Sequence, residues 1–122
     1  MAVIAEIEKG IGSHGLWKAH LRRAIETGKF DASIDTVRKD DHCDFGKWLY
    51  GSTLSDIDKA SHSYKTVRDL HEEFHRTAAK IVDLALSGRK DEASKMIAHD
   101  GEYALISSKL TAKMMEWKKS LS

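Results

Sequence analysis

The 122-residue sequence contains no proline. Proline has no amide hydrogen and its ring clashes with the preceding helical turn, so it interrupts helix interiors. Its complete absence therefore favours long, unbroken helices. A chain of this length can bury about two-thirds of its unfolded surface, which is enough for a real core but leaves little room for a second domain. We expect residues 1–122 to form one helical domain.

Long apolar runs and blocks of like charge are also missing. The apolar stretches are too short to cross a bilayer, and no charged-then-apolar leader opens the chain, so we expect a cytoplasmic protein without membrane insertion. The formal net charge is +1, and acids and bases are mixed along the whole length. Because no basic block forms, we expect no nucleic-acid partner.

Cysteine occurs once, at Cys43. A single cysteine cannot form a disulfide within the chain, which excludes a disulfide-stapled secreted scaffold. Histidine, in contrast, occurs seven times. A lone cysteine is usually a small buried hydrophobe. Whether Cys43 and the histidines have a chemical role therefore depends on where the fold places them.

Helical periodicity begins at the N-terminus. The first stripe contains Ile4, Ile7, Ile11, Leu21 and Ile25. His14 falls on this stripe, which predicts a helix over residues 2–27 that ends at Gly28. The alternative is a helix that begins after Ser13 as N-cap, because three glycines within residues 10–15 each weaken a helix by up to about 1 kcal/mol relative to alanine.

Two further long segments have helical periods. The cleanest stripe contains Tyr64, Val67, His71, Phe74, Ala78, Ile81 and Ala85. It predicts a helix over residues 61–87 that ends at Gly88.

The pattern over residues 91–119 predicts one continuous last helix, whose second face of small residues suggests a dimer contact. Residues 29–42 are predicted as a loop or short helical pieces, and residues 43–50 as about two helical turns. The predicted fold class is all-α, an antiparallel four-helix bundle with an additional short helix that carries the cysteine.

Two histidines of the third segment are spaced for metal binding. His71 and His75 are four residues apart, so their Cβ atoms lie about 5–6 Å apart on one helical face. Two imidazole nitrogens at this spacing can reach one metal ion at about 2.0–2.1 Å. The ordinary alternative is one core histidine and one exposed histidine. His14 also lies on a core stripe, where its ring nitrogens need a partner, either a shared metal or a backbone carbonyl.

Cys43 opens the short helical block at residues 43–50, where oriented backbone amides lower the pKa of a thiol and favour thiolate. Taken alone, an inert packed cysteine is the commoner case. Together, however, one thiolate and three imidazoles complete a tetrahedral zinc set, and such ligands suit zinc far better than magnesium or calcium. The predicted cofactor is Zn²⁺, and the predicted metal ligands are His14, Cys43, His71 and His75.

Aromatic residues and a glycine accompany these four positions. Trp17 lies one turn after His14 and is expected to cover the same face. Phe45 and Trp48 are expected to pack the short block onto the bundle. Gly46 between them permits the close approach of a neighbouring helix.

The pattern His14-x-x-Trp17, Cys43-x-Phe45-Gly46-x-Trp48 and His71-x-x-x-His75 resembles the CZB domain, the chemoreceptor zinc-binding domain of bacteria. The resemblance covers about half of the chain, and every motif position is filled. It implies a cytoplasmic, often dimeric regulatory module attached to chemoreceptors or diguanylate cyclases, with the same four ligands. The chain has neither a receptor coiled-coil hairpin nor a cyclase motif, so the output module would be joined in cis or bound in trans.

Two other kinds of metal site match parts of the sequence. Residues 71–75 also match HExxH of zinc metallopeptidases, in which the glutamate, here Glu72, activates a metal-bound water. A closed set of four ligands leaves no such water, so we expect no enzyme activity. A hemerythrin-like di-iron site needs bridging carboxylates at ligand spacing, which the other helices lack. Of the remaining histidines, His20 and His62 are expected to be exposed, His99 to be packed, and His42 is an alternative ligand beside Cys43.

The metal has two interpretations. Zinc either only holds the helices together, or its occupancy is the signal. In the second case the inputs are the zinc level or oxidation of the Cys43 thiolate to sulfenate, which makes Cys43 a redox switch. With no second cysteine, recovery needs an external reductant.

Overall fold

The structure is a computed structural model that describes residues 2–30, 33–41 and 43–121. Within these residues it contains helices and no strands, which confirms the predicted all-α class. The helices are α1 (Ala2–Thr27), α2 (Ile34–Arg38), α3 (Asp44–Tyr50), α4 (Asp56–Ala60), α5 (His62–Leu86), α6 (Lys90–Ile97) and α7 (Glu102–Ser120).

Helix α1 continues through its glycines, as the longer of the two predicted versions requires. It begins at Ala2 rather than after Ser13 and ends at Thr27. Gly28 follows with φ of +69°, and its amide donates to the carbonyl of Ala24 at 2.8 Å. This left-handed conformation suits glycine, which has no Cβ to clash.

Helix α5 agrees with the predicted bounds to within one residue at each end. Its N-cap is Ser61, whose hydroxyl accepts a hydrogen bond from the amide of Tyr64 at 3.1 Å. It is followed by Gly88 with φ of +80°. The stripe that predicted the helix is buried in the structure, including Val67, Phe74 and Ile81, each 0% exposed. The apolar period therefore identifies the face of α5 that packs into the core.

The last segment differs from its prediction, because the single helix over residues 91–119 is broken into α6 and α7. Ala98 is extended (φ −62°, ψ 159°), and Gly101 donates its amide to the Ala98 carbonyl at 2.8 Å. A Cβ on Gly101 would overlap the carbonyl oxygens of Lys95 and Met96, so this tight connection requires glycine. His99 lies in the break and is exposed, whereas a packed histidine was predicted. A helical period continues across such a short break, which is why the sequence pattern did not show it.

Helices α1, α5, α6 and α7 pack against one another, while α2 and α4 lie on α5 and α3 lies on α1. The fully buried side chains come mainly from the long helices and include Ile7, Leu21, Phe74, Ile81, Leu110 and Met114. The antiparallel four-helix arrangement remains a prediction. No helix in the described part of the chain has the length and apolar character needed to cross a membrane.

Candidate metal centre

Helix α5 supplies two neighbouring imidazoles to the centre of the fold. His71 and His75 are 0% and 2% exposed, and their ring centroids lie 4.5 Å apart. Their Nε2 atoms are separated by 3.1 Å. The i, i+4 spacing therefore brings two potential donor nitrogens to one point inside the protein.

Helix α1 adds His14, which is 3% exposed. Its ring centroid lies 4.8 Å from that of His71 and 5.9 Å from that of His75. The Nδ1 of His14 donates a hydrogen bond to the carbonyl of Gly10 at 2.7 Å. Because Nδ1 carries this proton, Nε2 keeps its lone pair free for another partner.

The fourth residue, Cys43, is the N-cap of α3. Its Sγ lies 3.3 Å from Nε2 of His71 and 3.5 Å from Nε2 of His75, and it accepts a hydrogen bond from the amide of Gly46 at 3.3 Å. Cys43 is partly exposed, in contrast to the buried histidines. The structure thus brings together the four predicted residues from three separate helical segments, with one potential donor atom each within 4.8 Å of one another.

These distances agree with the dimensions of a zinc site. Zinc bonds of about 2.0–2.1 Å to nitrogen and about 2.3 Å to sulfur imply tetrahedral edges of about 3.3 Å between two nitrogens and about 3.6 Å between nitrogen and sulfur. The observed separations are 3.1 Å for the nitrogens and 3.3 and 3.5 Å for nitrogen and sulfur. In addition, Nε2 of His14 is buried and accepts or donates no hydrogen bond within the described residues. A cation shared by the four donors would satisfy this atom.

Burial sets the protonation of the histidines. It lowers the pKa of His14 to about 4 and that of His71 to about 2, and it also lowers the pKa of His75. The charged form of each ring would lose its hydration inside the protein. All three imidazoles are therefore neutral near pH 7, the form that ligates metal.

Burial has the opposite consequence for the thiol. It raises the pKa of Cys43, and this outweighs the backbone hydrogen bonds, led by that from Gly46, which lower it. The amides at the start of α3 lower the pKa of the thiol, as predicted, but they do not make it a thiolate on their own, because desolvation of the sulfur is the larger effect. A zinc ion supplies the positive charge that a buried thiolate needs.

Two of the three outer ring nitrogens have backbone partners that the sequence did not identify by position. Nδ1 of His75 donates to the carbonyl of Val37 at 3.0 Å, as Nδ1 of His14 does to Gly10. Nδ1 of His71 is buried without a hydrogen bond to any described residue, and the Asp40 carboxylate lies 3.9 Å away. Backbone carbonyls leave no sequence signal, since every residue carries one. Asp40 does carry a signal, a carboxylate three residues before Cys43, but nothing in the pattern connects it with His71.

The four predicted packing residues occupy different positions around the centre. The Phe45 ring contacts those of His14 and His71, with centroids 5.6 and 5.2 Å apart. Trp17 lies 6.0 Å from the His75 ring. Trp48 has no ring contact with His14, His71 or His75, and it lies behind Phe45, against Trp117.

Gly46 permits a close approach, but to a loop and not to a helix as predicted. A Cβ at this position would overlap the carbonyl oxygen of Asp40 and lie 3.0 Å from Cα of Asp41. A further wall of the site, Phe74, was predicted only as a core residue. Its ring lies 5.0 Å from that of His14 and 5.7 Å from that of His75.

The rival sites find little support in these contacts. Glu72, the residue of the HExxH match, is exposed and pairs with Arg76 at 3.8 Å. The cluster of four donors includes no carboxylate among the described residues, in contrast to a di-iron site. His20 and His62 are exposed, as predicted, and His42 lies outside the described residues.

An open groove of about 400 Å³ leads to the centre from the surface between α1 and α3. Its lining includes Trp17, His20 and Asp44, together with His14 and Cys43. Solvent therefore reaches the sulfur side of the cluster, while Phe74 and the core close the opposite side.

A buried cluster of three imidazoles and one thiol, contributed by separate helices, defines a helical zinc-binding domain. The family model of CZB, the chemoreceptor zinc-binding domain, matches residues 14–82, which is more than half of the 122 residues. The chain therefore belongs to the CZB family, and zinc is its cofactor. Comparisons with curated proteins and with solved structures gave no match.

Proposed function

We propose that this protein is a sensory or regulatory domain of bacterial signal transduction that holds one zinc ion through His14, Cys43, His71 and His75. The observation that carries the proposal is the convergence of these four donors within 4.8 Å in a CZB domain. Its context would be chemotaxis or cyclic-di-GMP control, the settings that the family resemblance implies. The protein itself is not an enzyme in this proposal.

Zinc supplies a fixed positive charge that orders the four donors and stabilises the Cys43 thiolate. Residues of the chain itself fix the tautomers of two rings and exclude water. Gly10 and Val37 hold the protons of two imidazoles on the outer nitrogens. The rings of Phe45 and Phe74 exclude water from the histidine side.

The input is a change in zinc level or an oxidant that reacts with Cys43. With a peroxide, the thiolate sulfur attacks one oxygen, the O–O bond breaks and hydroxide leaves, so that sulfur loses two electrons and Cys–SOH forms. With hypochlorous acid, the sulfur takes the chlorine, hydroxide leaves, and water then displaces chloride to give the same product. The groove beside Cys43 supports this route, because it gives a small oxidant access to the sulfur.

The oxidised sulfur is a weaker ligand, and its loss would loosen α3. Helix α3 has only seven residues, and it packs against α1 where Phe45 lies next to Gly10. A displaced α3 changes the surface that a chemoreceptor or diguanylate cyclase module, in cis or in trans, would contact. The second candidate is a purely structural zinc, which the buried histidines equally support.

Domain organisation, location and oligomeric state belong to the same proposal. We propose a single cytoplasmic domain over residues 1–122 with the helices in an antiparallel four-helix bundle. We also propose a homodimer, supported by the exposed Leu16 of α1 and Leu105 and Met115 of α7, which are 63%, 57% and 56% exposed. A solution mass of one chain by light scattering would contradict the dimer.

Metal content tests the ligand set. Elemental analysis of the purified protein should give one zinc per chain, and less in each of four single variants. Exposed histidines on the same two long helices provide the matched controls, which should keep full zinc. The variants are His14→Ala, Cys43→Ala, His71→Ala and His75→Ala, and the controls are His20→Ala and His62→Ala. Zinc that persists without His14 and Cys43 would reopen the HExxH interpretation.

Zinc release separates the sensing and structural interpretations. Stoichiometric oxidant is added to the zinc-loaded protein, and release is followed with a chelating dye. We expect release from the native protein and much less from Cys43→Ser at equal zinc loading. No release, or equal release from both proteins, would contradict the Cys43 switch.

A further inference from the structure

The outer nitrogens of the three imidazoles are not treated alike. His14 and His75 each donate Nδ1–H to a backbone carbonyl, at 2.7 and 3.0 Å. His71 is 0% exposed, and its Nδ1 has no hydrogen bond within the described residues. Among the described contacts of the centre, His71 is therefore the histidine whose outer nitrogen has no hydrogen bond.

This nitrogen must carry a proton when His71 binds zinc. The Nε2 of His71 faces Cys43 and His75, so Nε2 supplies the lone pair and the proton lies on Nδ1. A buried N–H without an acceptor costs about 1–3 kcal/mol. The zinc-loaded form therefore needs an acceptor that the backbone does not provide.

Asp40 is the acidic residue beside this nitrogen. Its Oδ2 lies 3.9 Å from Nδ1 of His71, and its side chain is only 17% exposed. The Tyr50 hydroxyl donates a hydrogen bond to the same oxygen. Gly46 allows the Asp40 backbone to pack directly against α3. Two residues of α3 thus hold the carboxylate next to His71.

We propose that Asp40 is a positioning residue for the metal centre, whose carboxylate accepts the Nδ1–H of zinc-bound His71. A shift of about 1 Å reduces 3.9 Å to a hydrogen bond. The contact fixes the tautomer of His71 and makes its Nε2 a stronger donor, as carboxylates behind zinc-bound histidines do. Tyr50 holds the carboxylate in place. This inference rests on the proposed function, namely that His71 is a zinc ligand.

Zinc affinity measures the effect of the carboxylate. Competition with a chelating dye should show a 10- to 100-fold weaker affinity for Asp40→Ala. Asp40→Asn keeps an acceptor oxygen without the charge, so its loss should be smaller. The matched control is Asp83→Asn, an exposed aspartate of α5, which should keep native affinity. If Asp40→Ala does not fold, Asp40→Asn decides.

The Nδ1–H signal of zinc-loaded, ¹⁵N-histidine-labelled protein provides a readout that a merely structural role would not move. We expect a slowly exchanging Nδ1–H resonance for His71 in native protein and in Asp83→Asn, and its loss or shift in Asp40→Ala. Unchanged affinity and an unchanged resonance in both Asp40 variants would overturn the inference. Failure of the proposed function appears separately, as native protein without zinc.

Discussion

Among the glycines of α1, Gly10 is the one whose substitution should disturb the metal centre most. The space that an added Cβ would need is filled by other side chains, including Phe45 beside the centre. A Cβ built on Gly10 would lie 2.8 Å from Cε of Met114 and 2.9 Å from Cε1 of Phe45. The methionine methyl is flexible and can move. The Phe45 ring is 4% exposed and lies against both the His14 and the His71 ring, so it cannot move without disturbing them.

Two other glycines of the same helix allow the steric effect to be isolated. Gly12 and Gly15 lie inside α1 with nothing within 4 Å of an added Cβ. Gly12→Ala and Gly15→Ala should each stabilise the protein by about 0.5–1 kcal/mol through helix propensity. Gly10→Ala gains the same propensity but adds an overpacking cost of about 1–3 kcal/mol. The difference between Gly10→Ala and Gly12→Ala should therefore be about 1–3 kcal/mol.

Urea denaturation of the zinc-free proteins in chelator, followed by circular dichroism, measures these free energies of unfolding. Repeating the series with zinc shows whether displacement of Phe45 also weakens metal binding. We expect the gap between Gly10→Ala and Gly12→Ala to widen when zinc is present, because Phe45 contacts two of the proposed ligands. If Gly10→Ala stabilises the zinc-free protein as much as Gly12→Ala does, the packing of Phe45 against α1 is refuted.

Two further predictions concern acid and the α3 contact. Because the folded pKa values of His14 and His71, about 4 and about 2, lie below the ordinary value of 6.5, the unfolded state binds more protons between pH 6.5 and 4. The zinc-free protein should thus lose about 1.4 kcal/mol of stability per histidine for each pH unit as the pH falls through that window, and these histidines should have no effect above it. Urea denaturation at each pH measures the loss. A stability that stays constant from pH 6.5 to 4 would contradict the burial of these histidines as neutral rings. Gly46→Ala should lower the free energy of unfolding by about 3 kcal/mol or more and should also lower the zinc content. The added Cβ would overlap the backbone of Asp40, which moves less easily than the end of a side chain. Native stability and native zinc content in this variant would contradict the contact between Gly46 and Asp40.

Sequence periodicity predicted the helices well where one face is buried along the whole length. Helices α1 and α5 begin and end within a residue of their predicted bounds, because glycines with positive φ follow both. The break between α6 and α7 could not be predicted in the same way. It depends on the extended Ala98 and on close contact of Gly101 with the preceding turn, and neither feature interrupts the apolar period.

That four side chains would come together at the candidate site was easier to predict than the groups that lie behind them. Side chains that bind metal are few in type, so their spacing carries information even without a structure. The groups behind them are the carbonyls of Gly10 and Val37 and the carboxylate of Asp40. The carbonyl of Gly10 lies one turn before His14 in the same helix, but the roles of Val37 and Asp40 depend on how α2 and the following loop pack against α5. That long-range arrangement is not encoded in a local pattern. The net direction of the Cys43 pKa shift could not be predicted for the same reason, since the burial that outweighs the backbone amides is a property of the fold.

The four proposed donors differ in how firmly the fold holds them. The histidines belong to helices of 26 and 25 residues with buried faces, whereas Cys43 caps a helix of seven residues. Cys43 is also the most exposed of the four, and it is the residue with which we propose that oxidants react. Segments with few buried contacts open at the lowest free-energy cost. A chemical input at the sulfur therefore acts on the shortest of the three helical segments that carry the proposed donors, and α3 should respond before α1 or α5.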